Sequence, residues 1–234
     1  MSVVPATFRS RVRAGVEPIA RVFGRVGLTP NALTVIGLLI AVVGAYFAAT
    51  QSWLIAGLVV AFGAIFDLFD GALARATGKV SKFGAFLDSS LDRAGEGIAY
   101  IGIAYGLMGY VQVGGAILPS PVVAIAAMVS GYMVSYVRAR SESLGFSPGA
   151  GMASVGLAPR EVRMTILVLG LLGAGLLPAA PIISCIAPCP QPLGPIWALV
   201  GALALITVLA TITTIQRILF TYNQSRSQNT EVSR

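Results

Sequence analysis

The stretch Phe66 to Asp92, FDLFDGALARATGKVSKFGAFLDSSLD, sets Asp67, Asp70, Asp88 and Asp92 between two long apolar runs. An uncompensated aspartate near a bilayer core costs about 2.5 to 3.5 kcal/mol on insertion scales, so acids placed there mark a functional site by default. Four clustered acids need cations. Asp67 and Asp70 are three residues apart and Asp88 and Asp92 four. On a helix the members of each pair lie roughly 60° and 40° apart, on one face. The connection from Arg75 to Phe83 is short and contains Gly78, which returns the chain as an antiparallel neighbour. Both pairs then face one cleft.

Outward from this hairpin, the 234-residue chain is 56% hydrophobic and 11% charged, too apolar for an ordinary soluble domain. A spanning helix needs about 20 apolar residues, and such runs lie near 32–50, 53–74, 84–109, 118–140, 163–184 and 195–220. The reading is an all-α integral membrane protein of six transmembrane helices. Residues 8–26, FRSRVRAGVEPIARVFGRV, are too charged to span and lack the apolar core of a cleavable signal. They read as an interfacial amphipathic helix, kinked near Pro18. Thr29 or Asn31 then caps the first span. The expected organisation is an interfacial helix and turn over 1–28, a six-helix domain over 29–222 and a polar, disordered tail over 223–234.

All sixteen Lys and Arg fall in the N-terminal segment, in the connections around 75–93 and 138–163, or from Arg217 onward. The connections Ala49–Trp53, Tyr110–Ser120 and Pro178–Pro195 carry none. The positive-inside rule therefore places both termini and the four acids at the cytoplasmic face of a cell membrane. The net charge of +7 is divided among loops between spans, which points to anionic headgroups and phosphorylated substrates and away from nucleic acid. With no His in the chain, imidazole chemistry is excluded and carboxylates must do any base work. Cys185 and Cys189 lie in an uncharged outer connection, as two small semi-buried residues or as a local disulfide or lipidation site. Gly102-x3-Gly106 and Gly170-x2-Gly173 permit close helix contact and offer a seam for a homodimer.

Four convergent carboxylates repel unless divalent metal neutralises them, and oxygen-only ligation suits Mg²⁺ or Mn²⁺, two ions per site. The competing reading is an ion-pair network with Arg75, Arg93, Arg138 and Arg140. That network has no use for the interleaved Gly71, Ala74 and Gly84. Gly71 and Ala74 let a flat base or a sugar approach the backbone, and Arg75 can hold a phosphate.

The spacing D-x2-D-G-x2-A-R-x8-G-x3-D-x3-D is met by Asp67, Asp70, Gly71, Ala74, Arg75, Gly84, Asp88 and Asp92. It resembles the signature of the CDP-alcohol phosphatidyltransferases, as do the TPNxLT lead-in to the first span and the six spans behind an interfacial helix. The resemblance extends to about residue 222. It implies transfer of a phosphatidyl group from CDP-diacylglycerol to an alcohol, with release of CMP. It further implies Asp67, Asp70 and Asp88 on one metal, Asp67, Asp88 and Asp92 on the second, and Asp92 as general base. Nucleotide contacts carry over to Asn31, Thr34, Gly71, Ala74, Arg75 and Ser81, beside Gly84.

For the acceptor, Arg138, Arg140, Arg160 and Arg163 lie on the same side as the acids, and guanidinium groups suit bidentate phosphate binding. The acceptor is then itself a phosphate ester. Basic residues here resemble the phosphatidylinositol-phosphate synthases of actinobacteria and archaea, which implies inositol 3-phosphate. Pro159-Arg160 stands where that resemblance implies Glu-Arg, and glycerol 3-phosphate, giving phosphatidylglycerophosphate, is the alternative. A reading of another class, a divalent-metal or proton transporter, needs its acids near mid-membrane.

Overall fold

The computed structural model describes Pro18, Ala20 and residues 22–108, 121–146, 155–177 and 196–232. Among these residues the regular structure is helical: α1 Pro30–Ala49, α2 Trp53–Ala76, α3 Lys82–Met108, α4 Pro121–Ser143, α5 Arg160–Leu176 and α6 Ile196–Val232. Cys185 and Cys189 lie outside the described residues, as does most of the expected interfacial helix. Of that segment, residues 22–25 are helical, and Phe23 sets its ring edge-on to Phe69 of α2 at 5.5 Å.

Local chemistry fixes the helix ends nearest the acids. Thr29, of the two candidate caps, accepts the Ala32 amide at 3.2 Å, and Pro30 fills the first helical position, where its missing N–H costs nothing. Gly78 closes α2 with φ +66°, and the Lys79 amide returns to the Ala74 carbonyl at 2.9 Å, a left-handed helix stop that favours glycine. Ser81 accepts the Gly84 amide at 2.9 Å and so starts α3.

The six helices pack in a closed ring, in the order α1, α3, α4, α6, α5, α2 and back to α1. Gly102 and Gly106 let α3 lie directly on α1, because a Cβ on either would collide with the Ala45 or Ala48 carbonyl. Gly170 and Gly173 face Ala202 and Ala198 of α6 in the same manner. The glycines read as a dimer seam are therefore consumed within the chain. At the end of the ring remote from the acids, Trp53, Tyr100, Leu107, Leu171 and Leu199 form the main core. Outward, large apolar side chains such as Leu39, Phe62, Ile101 and Leu169 are exposed. Four helices, α1, α2, α4 and α6 up to Arg226, are long and apolar enough to cross a membrane. The remaining two differ in kind: α3 carries Asp88, Asp92 and Arg93 in its first half and Glu96 just past its midpoint, and α5 has 17 residues.

One expectation is corrected. The segment from 223, read as a disordered tail, continues α6 as helix to Val232. After Gly201 the segment to Val232 contains no Gly or Pro to stop the helix, and Arg226 lies one turn beyond Tyr222, 5.9 Å from its ring.

Candidate active site

At one end of the ring, α1, α2, α3 and α5 converge on the four acids. Asp70 is buried. One of its carboxylate oxygens receives the Thr34 hydroxyl of α1 at 2.9 Å, and the other faces the Gly71 amide. Asp67 and Asp92 are bridged by a single guanidinium: Arg160 at the start of α5 places Nη2 3.1 Å from Asp67 and Nη1 2.7 Å from Asp92. Its Nε is buried without a hydrogen-bond partner among the described residues. Asp88 stands within electrostatic reach of Asp67, Arg160 and Arg93. A cavity runs from this cluster between the helices, lined by Thr34, Gly37, Asp67, Asp92, Glu96 and Arg160.

The residues read as nucleotide contacts divide into two groups. Asn31 and Ser81 both approach Gly84, their oxygens lying 3.5 and 3.1 Å from where its Cβ would stand. Arg75 folds back over Gly71, with Nη1 3.3 Å from the corresponding point. Ala74 lies on the same helix, one turn after Gly71. At both glycines a polar side chain thus stands close to the backbone, where any side chain on the glycine would crowd it.

Among the described residues no three carboxylates are gathered tightly enough to enclose a metal ion. Thr34 engages Asp70, and Arg160 engages Asp67 and Asp92. The donor set nevertheless fits a hard divalent cation. It consists of carboxylate oxygens on facing helices, and a cationic group already sits between two of them.

The basic residues do not form the single group expected of them. Arg163 is 1% exposed and is held by Glu96 of α3 through Nη2 at 3.0 Å, so it is buried between the helices and is withdrawn from the acceptor set. Arg93 reaches the other Glu96 oxygen at 2.8 Å. Arg138 pairs with Glu142 one turn away at 2.9 Å. Arg140 is exposed on the same helix. Of the four arginines read as acceptor ligands, Arg160 alone meets the aspartates directly. Among the described residues Arg75, Arg93, Arg138 and Arg140 make no direct ion pair with the aspartates, although Arg93 lies within electrostatic reach of Asp88; Arg160, outside that group, does the pairing.

The sequence reading does not single out Glu96, and it leaves Arg217 open between a topology anchor and a phosphate ligand. Glu96 is an acid inside an apolar run, which the cost argument applied to the four aspartates would have flagged. Arg217 is buried in α6, where its Nε donates to the Val155 carbonyl at 3.0 Å and its Nη1 to the Val134 carbonyl at 2.7 Å.

Comparison with known proteins gives a consistent set. The profile of the family described as CDP-alcohol phosphatidyltransferase matches residues 27–222. An archaetidylinositol phosphate synthase of Pyrococcus horikoshii is 41% identical over 159 residues, covering 68% of this chain and 77% of its own. The crystal structure of Mycobacterium tuberculosis phosphatidylinositol phosphate synthase with CDP-DAG bound superposes with TM-score 0.71 at 29% identity, over 88% of this chain and 93% of the other. The same enzyme in complex with manganese and citrate gives TM-score 0.70 at 29% identity, over 88% of each chain.

Proposed function

Because the chain belongs to the CDP-alcohol phosphatidyltransferases, we propose that it moves a phosphatidyl group from CDP-diacylglycerol to a polyol phosphate, inositol 3-phosphate, releasing CMP. Family membership sets the transporter reading aside. The observation that carries the proposal is the Arg160 bridge between Asp67 and Asp92. It brings a phosphate-binding group from α5 onto the acids of α2 and α3, with one buried N–H left for a ligand oxygen. The names of the relatives favour inositol phosphate over glycerol 3-phosphate.

In this account Asn31, Thr34, Gly71, Ala74, Arg75, Ser81 and Gly84 receive the CDP moiety, where the missing side chains of Gly71 and Gly84 admit a base and sugar. Asp67, Asp70, Asp88 and Asp92 hold two Mg²⁺ or Mn²⁺ ions, which neutralise the diphosphate and the charge gathering on departing CMP. Asp92, at the edge of the cluster, takes the proton of the acceptor hydroxyl. That oxygen bonds to the phosphorus bearing diacylglycerol while the bond from this phosphorus to the CMP oxygen breaks. Arg160 holds the acceptor phosphate, with the exposed Arg138 and Arg140 on the path to it. Glu96 and Arg163 set the spacing of α3 and α5 beneath the reaction.

The proposed topology has α3 and α5 completing six spans, the interfacial helix and both termini at the cytoplasmic face, and the transferase domain over 29–222. Purified protein with Mn²⁺ or Mg²⁺, CDP-diacylglycerol and inositol 3-phosphate is expected to release CMP, and Asp92→Asn to abolish release. Full activity in Asp92→Asn would remove the base from Asp92. Release with glycerol 3-phosphate alone would transfer the assignment to phosphatidylglycerophosphate synthesis.

A further inference from the structure

The chain between α4 and α5 reaches Arg160 through residues 155–159, which form no helix. This segment is held from α6. Thr213 is fully buried, and its hydroxyl accepts the backbone N–H of Leu157 at 3.1 Å and of Ala158 at 3.0 Å. It also donates to the Leu209 carbonyl of its own helix at 2.8 Å. A mid-helix threonine ordinarily makes only that last bond; here one oxygen also serves two amides from another segment, its full capacity. Gly156 adopts φ +117°, and a Cβ there would collide with the Thr213 side chain. At Gly156 the loop backbone therefore lies directly against Thr213, while Arg217 and Arg163 hold the carbonyls of Val155 and Ala158 on either side.

We propose that Thr213 is a positioning residue for the acceptor. By holding the amides of Leu157 and Ala158, it sets where Arg160, two residues on, delivers its guanidinium between Asp67 and Asp92. The inference rests on the reading of Arg160 as acceptor-phosphate ligand. Thr213 itself touches none of the reacting groups. Loss of its hydroxyl strands the buried amide of Ala158 and the partly buried amide of Leu157, which the segment relieves by shifting. A displacement of about 1 Å at a reacting group is enough to cost up to roughly a hundredfold in rate.

The test is a double-mutant cycle on the full-length enzyme, reading KM for inositol 3-phosphate and KM for CDP-diacylglycerol in Thr213→Val, Thr213→Ser, Arg160→Lys and Thr213→Val with Arg160→Lys. Thr213→Val is expected to raise the acceptor KM about tenfold and the CDP-diacylglycerol KM less than about twofold, while Thr213→Ser, which keeps the hydroxyl, leaves both within about twofold. In the Arg160→Lys background, itself raised in acceptor KM, the further effect of Thr213→Val should shrink below about twofold. Equal penalties in both backgrounds, equal rises in both KM values, or a tenfold rise in Thr213→Ser would overturn the positioning role. An unchanged acceptor KM in Arg160→Lys overturns the reading of Arg160, and this proposal with it. Should Thr213→Val not be recovered folded, Thr213→Ala takes its place with the same expected and opposing outcomes.

Discussion

Replacing Glu96 by Gln strips the negative charge from a carboxylate with no exposed surface, while Arg163, 1% exposed at its side chain, remains beside it. In the native protein that carboxylate accepts Arg163 Nη2 at 3.0 and 3.3 Å, and Arg163 Nε at 3.4 Å. Arg93 adds a bond at 2.8 Å, but its side chain is 31% exposed and can turn to water. The loss is therefore concentrated on Arg163. Breaking a buried pair from one side costs about 3 to 5 kcal/mol. For a chain of this size 1 kcal/mol corresponds to about 2 to 4 °C, so the melting temperature in detergent should fall by about 6 to 20 °C. The assay is thermal unfolding of the purified protein, followed by intrinsic fluorescence. Replacing both partners, Glu96→Leu with Arg163→Met, removes the stranded charge and should recover at least half of the loss. A shift below about 2 °C for Glu96→Gln, or a double variant worse than the single one, refutes the reasoning. The pair also bears on the site. Glu96 lies one helical turn after Asp92 on α3, and Arg163 one turn after Arg160 on α5, so the buried bond and the Arg160–Asp92 bond are successive rungs between the same two helices.

Arg160 occupies the place between Asp67 and Asp92 that the proposed metal would enter. Two partly exposed ion pairs at roughly 0.5 kcal/mol each amount to about a fivefold penalty on metal binding. Arg160→Gln should therefore tighten Mn²⁺ in a calorimetric titration without substrates; unchanged or weaker affinity contradicts the competition. For topology, in a background with Cys185→Ser and Cys189→Ser, an impermeant thiol reagent on intact cells should label Gln51→Cys and leave Lys79→Cys unlabelled until the membrane is opened. The reverse pattern inverts the orientation.

The site was legible where cost announced it. Asp67, Asp70, Asp88 and Asp92 stand out because lipid penalises each of them, and their spacing and the turn at Gly78 already imply one cleft. Arginines carry no such signal. Charge asymmetry assigns a side of the membrane, not a helix face, so Arg163, three residues after Arg160, was read as its companion and proves to face the interior. Thr213 was silent for the opposite reason: in TVLATITT it is one of four threonines, all compatible with bonding back to their own helix. Only the arrival of residues 157 and 158 from elsewhere in the chain separates it from the others. The glycines of α3 were legible as a close contact but not as to partner, since a stripe of small residues fits a second chain as well as α1. The end of α6 was misjudged because polarity suggested disorder, whereas the missing helix breakers carried the information.

The most direct test of phosphatidyl transfer to a polyol phosphate at these acids is mass spectrometry of the lipid formed from CDP-diacylglycerol in parallel reactions with inositol 3-phosphate, glycerol 3-phosphate, inositol and serine. The account predicts phosphatidylinositol phosphate with inositol 3-phosphate, in step with CMP, and none in Asp92→Asn. A lipid product formed with unphosphorylated inositol or serine in preference to either phosphate ester would contradict it.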